Sequence, residues 1–524
     1  MTGHGLLPVV LSGLLLTLAG VTVLLVAAHL HATHGDLYAV AVDGGSSHSE
    51  FLIYRWAASA AGTTSDVYEV PKLKQHKFAC GHTPGISSFA TDPAAAGQSL
   101  ADCLRNASIA LPAAVRATTP VLLRATAGMR VLDINNASQA EAVLASSETA
   151  IRTAGFAANT SSAAILPGEA EGAFGWATAN YIQGSLESAV RLADHSNPGG
   201  YLSTASESAG LIGALDLGGA STQITFLPAT AMTAPYNLTL FGRNFALYTR
   251  SYLCYGANAA QQRAIVTVLQ EDNAAVANVS HACLPSGYSQ ALTASHVALY
   301  RRDFCSQDLA IDPAVLEATL HGSSDTIKCE QVVRSLITNG HAPRIGTEQP
   351  PLGFQKFLAF SAFWHTIDYQ CNVRKAPGCV RTVSGGWLLS PGDLLAASTA
   401  VCNEDLATLL ARSPGIKAQH AVWFCFMGLY IHELLAGYGV PTDSHQVEFV
   451  NTIDGKDVGW TLGYMLNHTT AIPRDDSPRA LSAQAFDGAV AAGVLLLFVA
   501  VVTVLGLARR RQRRQHGHYE PIQP

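Results

Sequence analysis

Charge is scarce in this chain. Asp, Glu, Lys and Arg make up 13% of its 524 residues, and 32 basic against 38 acidic side chains leave a net charge of −6. That balance, with no basic patch interleaved with aromatics, excludes the electrostatic footprint of a nucleic-acid-binding protein. No two cysteines stand at CxxC spacing, which argues against a thiolate-held zinc. The lysine-bearing phosphate loop of P-loop NTPases is also missing.

Two stretches lack charge altogether, Leu6–Leu30 and Gly488–Ala508. A helix needs roughly 20 apolar residues to cross a bilayer, so both are long enough to span. The first could be a signal peptide, since VAAHLHATHG offers small residues for cleavage. Its n-region has no Lys or Arg and its apolar run exceeds a usual h-region, which favours an uncleaved anchor. Arg509, Arg510, Arg511, Arg513 and Arg514 follow the second stretch and place residues 509–524 in the cytoplasm by the positive-inside rule. The middle, about residues 31–487, is then expected outside the cell or in a lumen. Sequons at Asn106, Asn136, Asn159, Asn237, Asn278 and Asn467 all fall there. So do all ten cysteines, an even count suited to disulfides in an oxidising compartment. At this length two domains or lobes are the prior.

Within the middle, Ala214–Phe226 (ALDLGGASTQITF) stands out: an apolar run, Asp216, two glycines, then hydroxyl and amide side chains. Ala39–Phe51 (AVAVDGGSSHSEF) has the same layout around Asp43. Leu37–Val42 predicts a buried strand and Glu50–Trp56 its return, with N–H groups and hydroxyls at a tip suited to phosphate. An ordinary glycine hairpin fits the first motif as well, and His48 fits either a phosphate neighbour or a solvated turn. Lys72–Phe78 reads as a solvated face, and Cys80 and Cys103 as the staple of a loop. Val121–Leu132 predicts a strand breaking at Ala127-Gly128 into a helix, with Thr126 at the strand end as ligand contact or cap. In Ala164–Gly184 three glycines punctuate a segment that turns helical at Trp176–Tyr181. Glu171 there could accept a proton from water or cap the helix, and Glu169 competes for both roles. Asp194–Ser208 and the Cys254–Cys329 segment read as loop-rich. Leu316–Gly340 and Ser398–Leu410 read as helical, Leu352–Tyr369 as mixed strand and helix, and Trp460 as the start of an amphipathic helix. Arg474–Arg479 reads as a linker, and Tyr519–Ile522 matches a short sorting pattern.

Order and spacing narrow these options. DGGSSHS (Asp43–Ser49), TAGMRVL (Thr126–Leu132), PGEAEGAFGWATANY (Pro167–Tyr181), DLGGASTQI (Asp216–Ile224) and GWTLGYMLN (Gly459–Asn467) together resemble the ecto-nucleoside triphosphate diphosphohydrolase (apyrase) family. Two anchors and ten cysteines resemble its cell-surface subgroup. The resemblance implies an α/β fold of two RNase-H-like, actin-like lobes with the nucleotide between them: residues 37–167 with 452–480 as one lobe, 168–451 as the other. Residues 1–5 would be cytoplasmic, and 6–30 and 488–508 would be the transmembrane helices of a plasma-membrane protein. It implies Glu171 as general base, since Ala170 stands where the family usually has a second glutamate. Gly45, Ser46, Ser47, His48, Thr126, Gly218, Gly219, Ala220, Ser221 and Gln223 would hold phosphate. Asp43 and Asp216 would hold the waters of a Ca²⁺ or Mg²⁺ ion, with Trp460 closing that site and Gln223 also orienting the attacking water. His365 and His420 stand where the family clamps the nucleobase with an aromatic and a basic residue, and Ser49 stands for its usual threonine. The implied disulfides are Cys80–Cys103, Cys254–Cys305, Cys283–Cys329, Cys371–Cys379 and Cys402–Cys425. Nucleoside tri- and diphosphates are the expected substrates and membrane lipid a partner, with self-association through the transmembrane helices left open. The competing reading is a catalytically weak nucleotide-binding or adhesion ectodomain, whose signature would be loss of Glu171, Asp43 or Asp216; all three are present.

Overall fold

The structure, a computed structural model, describes residues 7–33, 36–57, 70–157, 162–196, 201–202, 210–271, 278–292, 304–306, 318–338, 344–470 and 483–516. It divides into two compact units. The smaller comprises Met1–Leu37, Trp56–Gly62 and Pro473–Pro524 and holds helix α1 (Leu7–Thr33) and the final helix, Ala483–His516. Among the described residues one helical stretch, Phe486–Arg510, is long and apolar enough to cross a bilayer. In α1, a helix of 27 residues, the apolar stretch among the residues whose side chains are described is Gly13–Ala27, so of the two expected spans the final helix supplies the clear one and α1 the weaker.

The larger unit, Tyr38–Arg55 and Thr63–Ile472, is built on two main sheets. The first uses β1 (Asp36–Gly44), β2 (Ser49–Ala57), β3 (Lys74–His82), β4 (Val121–Ala125) and β5 (Ala163–Ile165) in the order β3-β2-β1-β4-β5. Helices α2 (Pro93–Ala110) and α3 (Ala127–Thr153) cover it through Leu100, Leu104 and Val143 against Val40, Val42, Phe51 and Leu123. Helix α4 (Gly168–Ile182), α5 (Ser185–Ser196) and β6 (Tyr201–Leu202) lead to the second sheet. It begins with β7 (Gly213–Leu217), β8 (Ser221–Phe226), β9 (Tyr236–Leu240) and β10 (Arg243–Leu253), β9 pairing with β10 alone among the described strands, followed by α6 (Ala257–Glu271). A small sheet of β11 (Asn278–His281), β12 (Ser289–Leu292) and β13 (Ala318–Gly322) precedes α7 (Thr326–Thr338). The chain then returns through β14 (Phe357–Ser361), α8 (Ala362–Asp368), β15 (Val380–Arg381) and β16 (Trp387–Leu388). Helices α9 (Pro391–Cys402), α10 (Leu406–Ala411), α11 (Ala418–Ala421) and α12 (Phe424–Gly437), strand β17 (Val447–Phe449) and helix α13 (Trp460–Thr470) complete the unit. The final helix is α14.

The two sheets share one plan. In the first, β4 runs parallel to β1 and β5 to β4, with β2 and β3 antiparallel. In the second, β14 runs parallel to β7 and β17 to β14, with β8 and β10 antiparallel on the other side. Asp43 and Asp216 are each the last residue but one of the leading strand, and each faces the adjoining parallel strand, at Arg124 and Phe360. Strands buried on both faces read as continuous apolar runs, and LYAVAV and GALDL do so.

Several local expectations are corrected. Helix α4 begins at Gly168, eight residues before Trp176, because the Pro167 carbonyl already accepts the Glu171 N–H at 3.0 Å. Leu316–Gly340 is not one helix: Ala318–Gly322 pairs with β11 and β12, and α7 starts after Asp325, whose Oδ1 accepts the Lys328 N–H. Ser398–Leu410 splits into α9 and α10 because Asp405 caps the second helix through the Thr408 N–H. The Cys254–Cys329 segment carries α6 and three strands, and α5 reaches Ser196 inside the expected loop. Cys80–Cys103 ties strand β3 to helix α2 rather than stapling a loop. All five disulfides have the expected partners, Cys371–Cys379 included. Asn106, Asn136, Asn237 and Asn278 are exposed and Asn467 is half-buried on α13, while Asn159 and Arg474–Arg479 lie outside the described residues.

Candidate active site

The two hairpins, β1–β2 and β7–β8, meet at their tips. Gly219 lies so close to Ser46 that a Cβ on it would collide with Ser46 Oγ. The second tip is pinned from behind, since Gly218 and Gly219 carbonyls accept N–H bonds from Ala257, Asn258 and Ala259 at the start of α6. Among the described residues no backbone carbonyl takes the N–H of Gly219 or Ala220, nor those of Gly45, Ser46 and Ser47 on the first tip. Two sets of unpaired amides facing one space form an anion cradle. Ser221 is buried beneath it and Thr126 stands beside it, at the N-terminus of α3, with its N–H bonded to the Gly44 carbonyl. His48 is exposed, its Nδ1 3.1 Å from Ser47 Oγ. Ser49 is fully buried with its hydroxyl unbonded.

Glu171 is buried at the first turn of α4. Its Oε2 accepts from Arg130 Nη2 at 2.6 Å and from Gln223 Nε2 at 3.1 Å, while among the described residues Oε1 makes no hydrogen bond. Gln223 also donates to Ser221 Oγ at 2.7 Å and Ser251 Oγ at 3.0 Å, and Arg130 to Ser221 Oγ at 2.9 Å. Burial pushes the Glu171 carboxyl up, opposed by the charge and hydrogen bond of Arg130. Glu169 is not part of this network; its carbonyl accepts the Thr249 hydroxyl.

Two further carboxylates share the pocket. Asp43 is held well above the usual carboxylate range by burial, then by the charges of Glu171, Glu50 and Asp216; the Trp460 indole, 3.1 Å from Oδ2, pulls the other way. Asp216 is pushed up to about 7 by burial and by Glu171, against the Ser361 hydroxyl and Arg130. Asp43 Oδ1, Asp216 Oδ1 and Gln223 Oε1 are buried without a protein partner. Such orphaned oxygens are costly unless an ion or water takes them. Among the described residues no three His, Cys, Asp or Glu side chains converge as a direct metal cage.

Helix α13 brings Trp460 to the first hairpin. It packs on α4 so tightly that a Cβ on Gly463 would collide with the Phe174 carbonyl, and Gly463 N–H bonds Thr178 Oγ1 at 2.8 Å. Thr461 holds the Tyr54 hydroxyl of β2 at 2.9 Å. At the outer end, α8 carries His365 and α11 carries His420, both exposed. Partial burial lowers the His365 imidazole, Asp368 opposes, and His420 and His48 add to the lowering, so both rings lie within electrostatic reach of His365.

Three residues of this network went unassigned in the sequence: Arg130, Ser251 and Ser361. Arg130 had a signal, lying in TAGMRVL four residues after Thr126 and hence one helical turn above the cradle. Ser361 had none. It holds a left-handed conformation, φ 62°, between β14 and α8, which no local pattern announces.

Comparison with known proteins identifies the fold and the family. The solved nucleoside triphosphate hydrolase of Neospora caninum has the same fold, with a TM-score of 0.58 at 16% identity over 83% of this chain and 93% of that one. Ectonucleoside triphosphate diphosphohydrolase 8 of Gallus gallus is 33% identical over 484 residues, covering 90% of this chain and 91% of that one. Ectonucleoside triphosphate diphosphohydrolase 2 of Mus musculus is 34% identical over 490 residues, covering 91% and 90%. The profile of one family matches residues 29–482, which include the whole of the larger unit, and the chain belongs to that family, GDA1/CD39 (nucleoside phosphatase).

Proposed function

We propose that the chain is an ecto-apyrase, hydrolysing nucleoside tri- and diphosphates to the monophosphate with release of phosphate. The observation that carries this reading is the facing pair of hairpins, with their unpaired amides, around the buried Glu171. The duplicated sheet order supports two RNase-H-like lobes, residues 37–167 with 452–480 and residues 168–451.

Ser46, Ser47, Thr126, Ser221 and the amides of Gly45, Gly219 and Ala220 hold the phosphate chain, with Gly218 in the turn that carries them and His48 beside them. Gln223 and Arg130 fix Oε2 of Glu171, so Oε1 receives the proton of the attacking water. The water oxygen then bonds the terminal phosphorus as the bond to the leaving phosphate oxygen breaks. Phosphoryl transfer asks mainly for such positioning and for neutralised charge. The orphaned oxygens of Asp43 and Asp216 fit a Ca²⁺ or Mg²⁺ ion held through its waters, with the Trp460 indole fixing Asp43. When bound, that ion offsets the phosphate charge. Because the cradle grips a terminal phosphate and not a particular chain length, triphosphate and diphosphate are both substrates. His365 and His420 flank the nucleobase. Arg509–Arg514 support a cytoplasmic tail, and with it a plasma-membrane protein with both termini inside and the larger unit outside.

Phosphate release from ATP, ADP and AMP by intact expressing cells, with and without chelator, tests this. ATP and ADP turnover that chelation stops is expected. Release from AMP, or none from ATP with divalent ion, contradicts it; surface biotinylation tests the location.

A further inference from the structure

The helices α1 and α14 pack antiparallel. Gly20 meets the Gly493 carbonyl, with 3.0 Å to the position of a Cβ, and Gly13 faces Val504. The start of α1 therefore stands beside the last apolar turns of α14. Along its 27 residues α1 carries no acid, and the first in the chain is Asp36. On α14 the acid is Asp487, near the opposite end. Helix α14 does not stop with its apolar stretch Phe486–Arg510 but continues to His516, carrying Arg509, Arg510, Arg511, Arg513 and Arg514. The 23 residues ahead of Arg509 rise about 35 Å at 1.5 Å each, enough to cross a hydrocarbon core of about 30 Å. The arginine turns then fall at headgroup depth. At about 100° per residue, the five positions go round more than half the helix, so one neighbouring face cannot serve them all. Arginine occupies five positions at this bundle end, where neither helix carries an acidic residue.

We propose that this end of the helix pair is a binding surface for anionic phospholipid headgroups of the adjoining leaflet. The inference rests on reading α1 and α14 as spans with the arginines cytoplasmic. Guanidinium forks match phosphate and carboxylate oxygens bidentately, and juxtamembrane basic clusters draw acidic lipid from the cytoplasmic leaflet. Lipid is the occupant favoured over soluble phosphate because the helix length sets the arginines at the depth of the lipid phosphates.

The test uses the full-length chain reconstituted in phosphatidylcholine, alone or mixed with phosphatidylserine, and native mass spectrometry of the retained lipid. Resistance to carbonate extraction is scored first; a chain that is released overturns the spanning reading and the proposal with it. An inserted chain should retain phosphatidylserine over phosphatidylcholine, by on the order of fivefold per arginine at the headgroup layer. Replacing the five arginines with glutamine should erase the preference while ATP hydrolysis continues, which shows the fold intact. Equal retention of the two lipids, or a preference unchanged in the glutamine variant, overturns the proposal. Displacement of the lipid by excess inorganic phosphate also overturns it, marking a soluble-anion site instead.

Discussion

The indole of Trp460 donates to Asp43 Oδ2 at 3.1 Å, across 417 residues of chain. The bond joins the last helix of the larger unit to its first hairpin. It places a fixed donor on a carboxylate that otherwise meets mainly buried neighbours and like charge.

Glu171→Gln is expected to lower phosphate release by about two to four orders of magnitude, the range of general-base catalysis, while nucleotide binding persists. Parallel turnover and equilibrium-binding measurements check this. Turnover near the wild-type level removes Glu171 as base.

Arg130→Ala should act on the same proton. The Arg130 charge and hydrogen bond pull the Glu171 carboxyl down, so their loss raises it and moves the acidic limb of the pH–rate profile to higher pH. Activity should fall more at pH ~6 than at pH ~8.5. Breaking this buried pair should also cost about 3–5 kcal/mol of stability. Arg130→Lys keeps the charge and should recover part of the profile.

Metal removal should couple stability to pH. Asp216, pushed up to about 7, binds a proton in the folded state that the unfolded chain releases near 4. Between those values the folded state binds more protons, so stability of the chelated protein falls as pH rises. Asp43 contributes with the same sign. Melting curves with chelator should decline from pH ~5 to pH ~8, and added Ca²⁺ or Mg²⁺ should raise Tm more at the higher pH.

His365→Ala and His420→Ala should each raise KM for ATP by roughly threefold to tenfold, the loss of about 0.5–1.5 kcal/mol of stacking. With kcat little changed, the split marks binding in place of chemistry. A fall in kcat with constant KM contradicts their placement at the nucleobase.

Gly463→Ala should drive α13 from α4, costing about 1–3 kcal/mol as overpacking does. Because Trp460 rides on α13, the loss of Tm should come with weakened divalent-ion dependence.

What the chain alone determined was local or countable. The twin pattern of apolar run, aspartate and paired glycines marked both hairpins, because strand burial and tight turns leave their signature within about ten residues. The basic run after the last apolar stretch was legible for the same reason, whereas the cysteine pairs, up to 51 residues apart, came from the family resemblance. Tertiary structure decided which side chains meet. Nothing near Trp460 in sequence announces Asp43, and nothing near Ser361 announces Asp216. Glycines at 168, 172 and 175 read as punctuation ahead of a helix starting at Trp176, yet they lie in a helix closely packed against neighbouring elements. The resemblance had already favoured Glu171 over Glu169, but the partners of Glu171 followed the same logic. Two residues apart on a helix, they point to different sides, and only the packing of α3 and β8 against α4 sets Arg130 and Gln223 on one of them.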